Sequence, residues 1–154
     1  MGNLFNTDFQ DFLRALWSAE VKYVLVGGYS VILHGYSRTT GDLDIWVERS
    51  AENYERLVVA FQQFGMPTFD MTSRNFLDNP VMDVFTFGRP PVAIDIITEL
   101  KGLAFDNAYA AAEVRQIEEV AVRLIQYQQL LKAKEAAGRP RDQNDIENLK
   151  RRNG

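Results

Sequence analysis

A short apolar run of β-forming residues, Lys22 to Val26, stops at Gly27-Gly28, and a short helical pattern, Tyr29 to Leu33, follows at once and ends by Gly35. A glycine pair between a buried strand and a helix confines the chain to folds in which something approaches the backbone closely at that corner. The first turn of a helix presents free N–H groups and the positive end of its dipole, so a phosphate suits the position. A plain strand-to-helix turn has the same appearance.

Asp42-Leu43-Asp44 comes thirteen residues after the pair. Leu43 to Val47 alternates with Asp42, Asp44, Trp46 and Glu48, the pattern of a strand with one polar face. Residues i and i+2 of a strand project from one face about 6.5–7 Å apart. Two carboxylates so placed can hold two divalent cations about 3.5–4 Å apart. The motif alone is weak, since eleven aspartates produce about one Asp-x-Asp by chance. Between the glycines and the carboxylates lie Arg38, whose planar fork can chelate phosphate oxygens, and Thr40, which can donate a hydroxyl. Asp95 stands inside Val92 to Ile97, a run that reads as buried strand, where an acid needs a cationic partner or a metal. A salt bridge to Arg89 is the structural alternative for it. A third carboxylate beside a metal pair would instead take the proton of an attacking hydroxyl.

The rest of the chain reads as short alternating elements. Thr7 caps a helix to Ala19 with Phe9, Phe12, Leu13, Leu16 and Trp17 at helical spacing, and Ser50 caps another that stops at Gly65. Met82 to Phe87 and Val92 to Thr98 form a hairpin over Gly88-Arg89-Pro90-Pro91. Ala104 to Ala112 is a short helix. Glu113 to Ile117 and Val120 to Ile125 are read as a second hairpin rather than one helix, because Val and Ile dominate. Tyr127 to Ala137 is helical, and Asp142 caps a last helix to about Arg151. With 154 residues, no repeat and no low-complexity linker, residues 1–154 are expected to form a single α/β (α+β) domain.

Composition narrows the chemistry. The chain has no cysteine and a single histidine, His34, which excludes thiolate or histidine-rich metal sites and leaves carboxylates for a hard ion. No apolar run reaches the roughly 18 residues of a membrane span and no leader is recognisable, so a cytoplasmic protein is expected. The net charge of −4 conceals an acidic stretch over residues 1–122 and a basic one over residues 123–154. The basic third can meet phosphates or form a solvated helix face. Lys134 is open to both readings. His34 is expected to close the second helix and pack, and Asp142 and Asp145 to serve as a helix cap and a first-turn acid. Tyr29, Tyr36, Trp46 and Tyr127 are core or rim aromatics that could otherwise stack a base.

Gly27-Gly28, Asp42-Leu43-Asp44-Ile45 and Asp95 together resemble the polymerase β-like nucleotidyltransferase superfamily. His34-Gly35, Arg38-x-Thr40-x-Asp42-x-Asp44 and the Lys134 to Ile146 pattern are similar to its minimal bacterial group, which includes the abortive-infection (AbiE-type) toxins. The resemblance spans about residues 10–150. It implies a mixed β-sheet flanked by helices with C-terminal helices, an NTP, two Mg²⁺ ions (or Mn²⁺) and transfer of a nucleoside monophosphate to a hydroxyl acceptor: tRNA, protein or small molecule. It implies Asp42, Asp44 and Asp95 as catalytic and metal-holding residues. Gly27, Gly28, Ser30, Arg38, Thr40 and Lys134 become the nucleotide-binding set. Many members carry Gly-Ser at the glycine pair, where this chain has Gly28 and a serine two residues on. A non-catalytic nucleotide- or RNA-binding module, and a toxin–antitoxin interaction protein with a cognate partner, are the alternatives on the same fold. A DxD glycosyltransferase leaves Gly27-Gly28 and Asp95 unexplained, and an EF-hand lacks its third oxygen ligand and central glycine.

Overall fold

The computed structural model describes residues 4–89 and 92–153, so the Pro90-Pro91 part of the expected hairpin loop lies outside the described residues. The elements are α1 (Thr7–Ser18), β1 (Tyr23–Val26), α2 (Gly27–Leu33), β2 (Leu43–Val47), α3 (Ala51–Phe64), α4 (Ser73–Asp78), β3 (Val84–Phe87), β4 (Ile94–Ile97), α5 (Phe105–Ala111), β5 (Glu113–Ile117), β6 (Val120–Leu124), α6 (Tyr127–Ala137) and α7 (Pro140–Asn153). The strands form one mixed sheet in the order β3-β4-β2-β1-β6-β5. β1 runs antiparallel to β2 and parallel to β6, and β2 runs parallel to β4. Hairpins β3-β4 and β5-β6 supply the two edges.

Side chains alternate across this sheet, and the register sorts them into two faces. Leu25, Ile45 and Ile96 fall on one face, with Phe85 and Phe87 of β3 beside them. α1, α3 and α4 cover it: Phe61 meets Phe87 at 4.8 Å between ring centroids, Phe12 meets Phe61 at 5.6 Å and Phe76 meets Phe85 at 6.3 Å. The other face carries Val24, Asp44, Asp95 and Trp46, and Phe105 of α5 caps the Trp46 ring edge-on at 5.2 Å. β1 is buried along its whole length because both its faces are covered, which accounts for its unbroken apolar run.

Local sequence chemistry explains most boundaries. Asn6, one residue before the expected cap, receives the Phe9 N–H at 2.7 Å, so α1 starts at Thr7. Ser50 caps α3, and Gly65 ends it in the left-handed conformation. Glu118 and Glu119 both take positive φ in the two-residue turn of the second hairpin, where the strands' twist demands it. The Glu118 carboxylate then accepts the Leu4 and Phe5 N–H groups, so the strain is offset by anchoring the N-terminal segment. α4 was not legible from periodicity: it is a single turn and a half, begun by Thr72 and pinned by Phe76. α7 begins at Pro140, earlier than expected, with Asp142 inside its first turn.

Asn53 ties α3 to the ends of two strands. Buried, it accepts the Lys22 N–H at 2.8 Å and donates to the Lys22 and Glu48 carbonyls at 3.1 and 2.8 Å. Asn53→Ala leaves those backbone groups without partners and is expected to destabilise the fold by about 1–3 kcal/mol in urea unfolding. Among the described residues, no helix is long and apolar enough to cross a membrane.

Candidate functional site

Parallel pairing of β2 with β4 places Asp44 and Asp95 side by side in register. Paired strands lie about 4.7–4.9 Å apart, so two carboxyl groups on one face must interact. The Asp44 carboxyl is pushed up to about 7, chiefly by burial, then by the charge of Asp95 and the hydrogen bond they share, then by Asp42, while Lys134 pulls it the other way. Asp42 immediately precedes β2, and its Oδ1 accepts the Ala93 N–H at 3.1 Å across the same strand pair. Asp95 is half-buried rather than enclosed. Its apolar neighbours Ile94 and Ile96 point to the opposite face, and its own face opens to a cleft. Thr86 donates its hydroxyl to Asp95 Oδ1 at 2.7 Å, and among the described residues no ion pair joins Asp95 to Arg89 or any other cation.

Gly27 has φ +72°, which few side chains tolerate. A Cβ at Gly27 would fall on the Asp44 carboxylate, 2.7 Å from its Cγ. One at Gly28 would fall on the Thr40 hydroxyl, 2.8 Å from the Thr40 Cβ and 3.4 Å from Arg38 Nη1. The glycines therefore leave room for the site's own side chains, a reason the sequence does not reveal. Both belong to α2, which the sequence reading starts at Tyr29. Ser30 is fully buried and donates to the Gly27 carbonyl at 2.6 Å, so its hydroxyl is spent inside the helix and does not line the cleft.

The opposite wall comes from the α6–α7 hairpin, which turns at Gly138 in the left-handed conformation. Lys134 is not on a solvated face. It is buried, with Nζ 3.0 Å from Asp145 Oδ2 and 3.3 Å from Asp142 Oδ1. Asp142 and Asp145 are themselves fully buried, more than a cap and a first-turn acid. Asp142 takes the Arg139 N–H at 3.2 Å and the Arg139 side chain at 2.6 Å, which holds its carboxyl below the ordinary value despite burial. From the third helical position this is the reciprocal half of a capping box. Arg38 reaches Asp145 from the loop between α2 and β2, with Nη2 donating to Oδ2 at 3.1 Å. Two buried acids thus face three cations.

Between the two walls lies a cleft of about 610 Å³. Gly27, Gly28, Arg38 and Thr40 line it together with Asp42, Asp44, Asp95 and Lys134. Arg139, Arg141 and Asp142 join them, residues to which the sequence reading assigns no place in the site. For Asp142 the signal is its i, i+3 spacing from Asp145, which puts two acids on one helix face. Val84, Ile97 and Leu100 form an apolar strip beside Asp95. The aromatic candidates lie elsewhere: Trp46 and Tyr29 are core, and Tyr127 packs on His34 at 5.6 Å. The hydroxyl of Tyr36 accepts from Asn144. His34 is buried with Nε2 2.7 Å from the Ile125 carbonyl, and burial holds its pKa below the usual histidine value. Among the described residues, no three His, Asp or Glu side chains already stand close enough to enclose a cation.

The arrangement can bind an anion against the basic wall and present carboxylates to it from the sheet. A profile of the family described as "Nucleotidyl transferase of unknown function (DUF2204)" matches residues 6–154. The fold is similar to that of the lincomycin-bound lincosamide antibiotic adenylyltransferase LnuA, with 16% identity, a TM-score of 0.57, and coverage of 97% of this chain and 98% of that one. It is also similar to the antibiotic-resistance factor ANT(2'')-Ia, with 16% identity, a TM-score of 0.56, and coverage of 96% and 83% respectively. No curated protein matches the chain in sequence.

Proposed function

The chain belongs to the nucleotidyl transferase family DUF2204, and from that premise we propose that it transfers a nucleoside monophosphate from a Mg²⁺-bound NTP to the hydroxyl of a small molecule, acting as a single domain. The observation that carries this reading is one cleft with Asp44 and Asp95 paired on the sheet and Arg38 and Lys134 on the facing wall. The carboxylates fit a metal: all donors are oxygen, and burial followed by the charge of Asp95 raises the proton affinity of Asp44, a cost that a divalent cation would relieve. Asp42 and Asp44 would hold the ions, with Asp95 on the acceptor side. When bound, Mg²⁺ neutralises phosphate charge and lowers the pKa of a coordinated hydroxyl.

The residues of the chain divide the remaining work. Arg38, Thr40 and Lys134 bind the triphosphate near Gly27-Gly28, and Asp95 accepts the acceptor's hydroxyl proton. The acceptor oxygen forms a bond to the α-phosphorus as the bond to the β-phosphate oxygen breaks, and pyrophosphate leaves. A small acceptor is supported by the apolar strip of Val84, Ile97 and Leu100 beside Asp95, and by the acceptor named for the adenylyltransferase of similar fold. The Lys134 to Ile146 pattern supports placing the chain beside the AbiE-type toxins, for which co-purification from the native host would reveal a cognate protein.

The test is label transfer from α-labelled NTPs with Mg²⁺, using lincomycin and total tRNA as contrasting acceptor probes. Transfer to the small molecule, absent in Asp42→Ala, is the expected result. Calorimetry that detects no Mg²⁺–NTP binding would sink the enzyme reading, and labelling of tRNA alone would sink the acceptor assignment.

A further inference from the structure

Arg38 sits in the segment between α2 and β2, which has no backbone ladder of its own to fix it. Its guanidinium is oriented instead by a residue 107 positions away. Asp145 Oδ1 stands 2.9 Å from Arg38 Nε as an ion pair without hydrogen-bond alignment, and Oδ2 is shared by Arg38 Nη2 at 3.1 Å and Lys134 Nζ at 3.0 Å. That leaves Nη1 near the Thr39 carbonyl at 3.1 Å and on the side of Gly28 and Thr40, facing the cleft. A fully buried carboxylate is retained at a desolvation cost and is compensated only by charges held in fixed geometry.

We infer that Asp145 is a positioning residue for the triphosphate side of the site, aiming Arg38 and Lys134 together from α7. Resting on the nucleotidyl-transfer reading above, this makes the C-terminal hairpin a part of the nucleotide site through one carboxylate. Asp142 has a different task. It holds Lys134 and Arg139 and does not touch Arg38. The two acids are three residues apart on one helix face, yet their removal has distinguishable effects.

The experiment compares full-length wild type, Asp145→Asn and Asp142→Asn, each checked for folding by circular dichroism. Phenylglyoxal modification of Arg38, read by peptide mass spectrometry, is expected to speed up at least about tenfold in Asp145→Asn and to stay unchanged in Asp142→Asn. The dissociation constant for a Mg²⁺-bound non-hydrolysable ATP analogue is expected to rise at least about tenfold in Asp145→Asn, while affinity for Mg²⁺ alone is kept. A merely structural aspartate would leave that split absent. Unchanged Arg38 reactivity with unchanged analogue affinity overturns the positioning role and leaves the enzyme reading standing. Wild-type protein that fails to bind the analogue refutes the enzyme reading and the phosphate role of Asp145 together. Should Asp145→Asn not fold, Arg38→Lys keeps the charge but loses the two-point approach. It is expected to weaken analogue binding by a similar factor, and full affinity in that variant overturns the inference.

Discussion

Asp44→Asn is expected to abolish nucleotidyl transfer while making the metal-free protein more stable at pH 8. A metal clamp on the reacting phosphate would lower the barrier by several kcal/mol, so its loss corresponds to a rate lower on the order of a thousandfold or more. The stability effect has the opposite sign because the folded protein holds the Asp44 proton up to about 7, against an ordinary value of 3.8, through burial and then the nearby charge of Asp95. Between those values the unfolded chain has released a proton that the folded protein keeps. Stability contributed by this group therefore falls as pH rises through the window, and the penalty is complete above it. Asparagine removes the titration. Thermal unfolding with EDTA at pH 5 and pH 8 should show wild type losing stability at the higher pH and Asp44→Asn losing less. Added Mg²⁺ should restore wild type alone. Parallel pH profiles for the two proteins would contradict the account.

Gly27→Ala should be among the most damaging single substitutions in the chain. The residue is held at φ +72°, and its added Cβ would collide with the carboxylate of Asp44. Left-handed strain of about 1–2 kcal/mol and overpacking of about 1–3 kcal/mol outweigh the small entropic gain of alanine in the unfolded chain. A loss of roughly 2–5 kcal/mol in urea unfolding is the expected total. Gly28 offers a sharper control, because its obstacle is the Thr40 side chain instead. Gly28→Ala should be partly rescued by Thr40→Gly, with a coupling of about 0.5–3 kcal/mol in a double-mutant cycle. Strict additivity would show that the glycines are there for another reason, such as close approach of a phosphate.

How much of this was legible differs from residue to residue. The period-2 alternation of Leu43 to Val47 assigned Asp44 to a polar strand face, since neighbouring side chains must point to opposite sides. The Val- and Ile-rich halves around Glu118-Glu119 gave the second hairpin, and glycine at positions 65 and 138 gave two helix ends. Asp95 was recognisable as anomalous within its apolar run, but its burial was overestimated because alternation hid which face was open. Ser30 stands two residues beyond the position where many members carry a serine, and its hydroxyl is occupied by the Gly27 carbonyl. Asp142 and Asp145 read as a helix cap and a first-turn acid, and Lys134 as either a phosphate contact or part of a solvated face, since a helix pattern shows which residues share a face but not what that face meets.

The sequence by itself thus determined most of the elements, the polar and apolar sides of the strands and the carboxylate chemistry open to the chain, because helix and strand periods are set within a few residues. Tertiary structure alone decided that β4 lies parallel beside β2 with Asp95 opposite Asp44, and that α7 reaches back over Arg38. Those pairings join residues 51 and 107 positions apart. They depend on the burial and register of whole elements against one another, which no local spacing encodes.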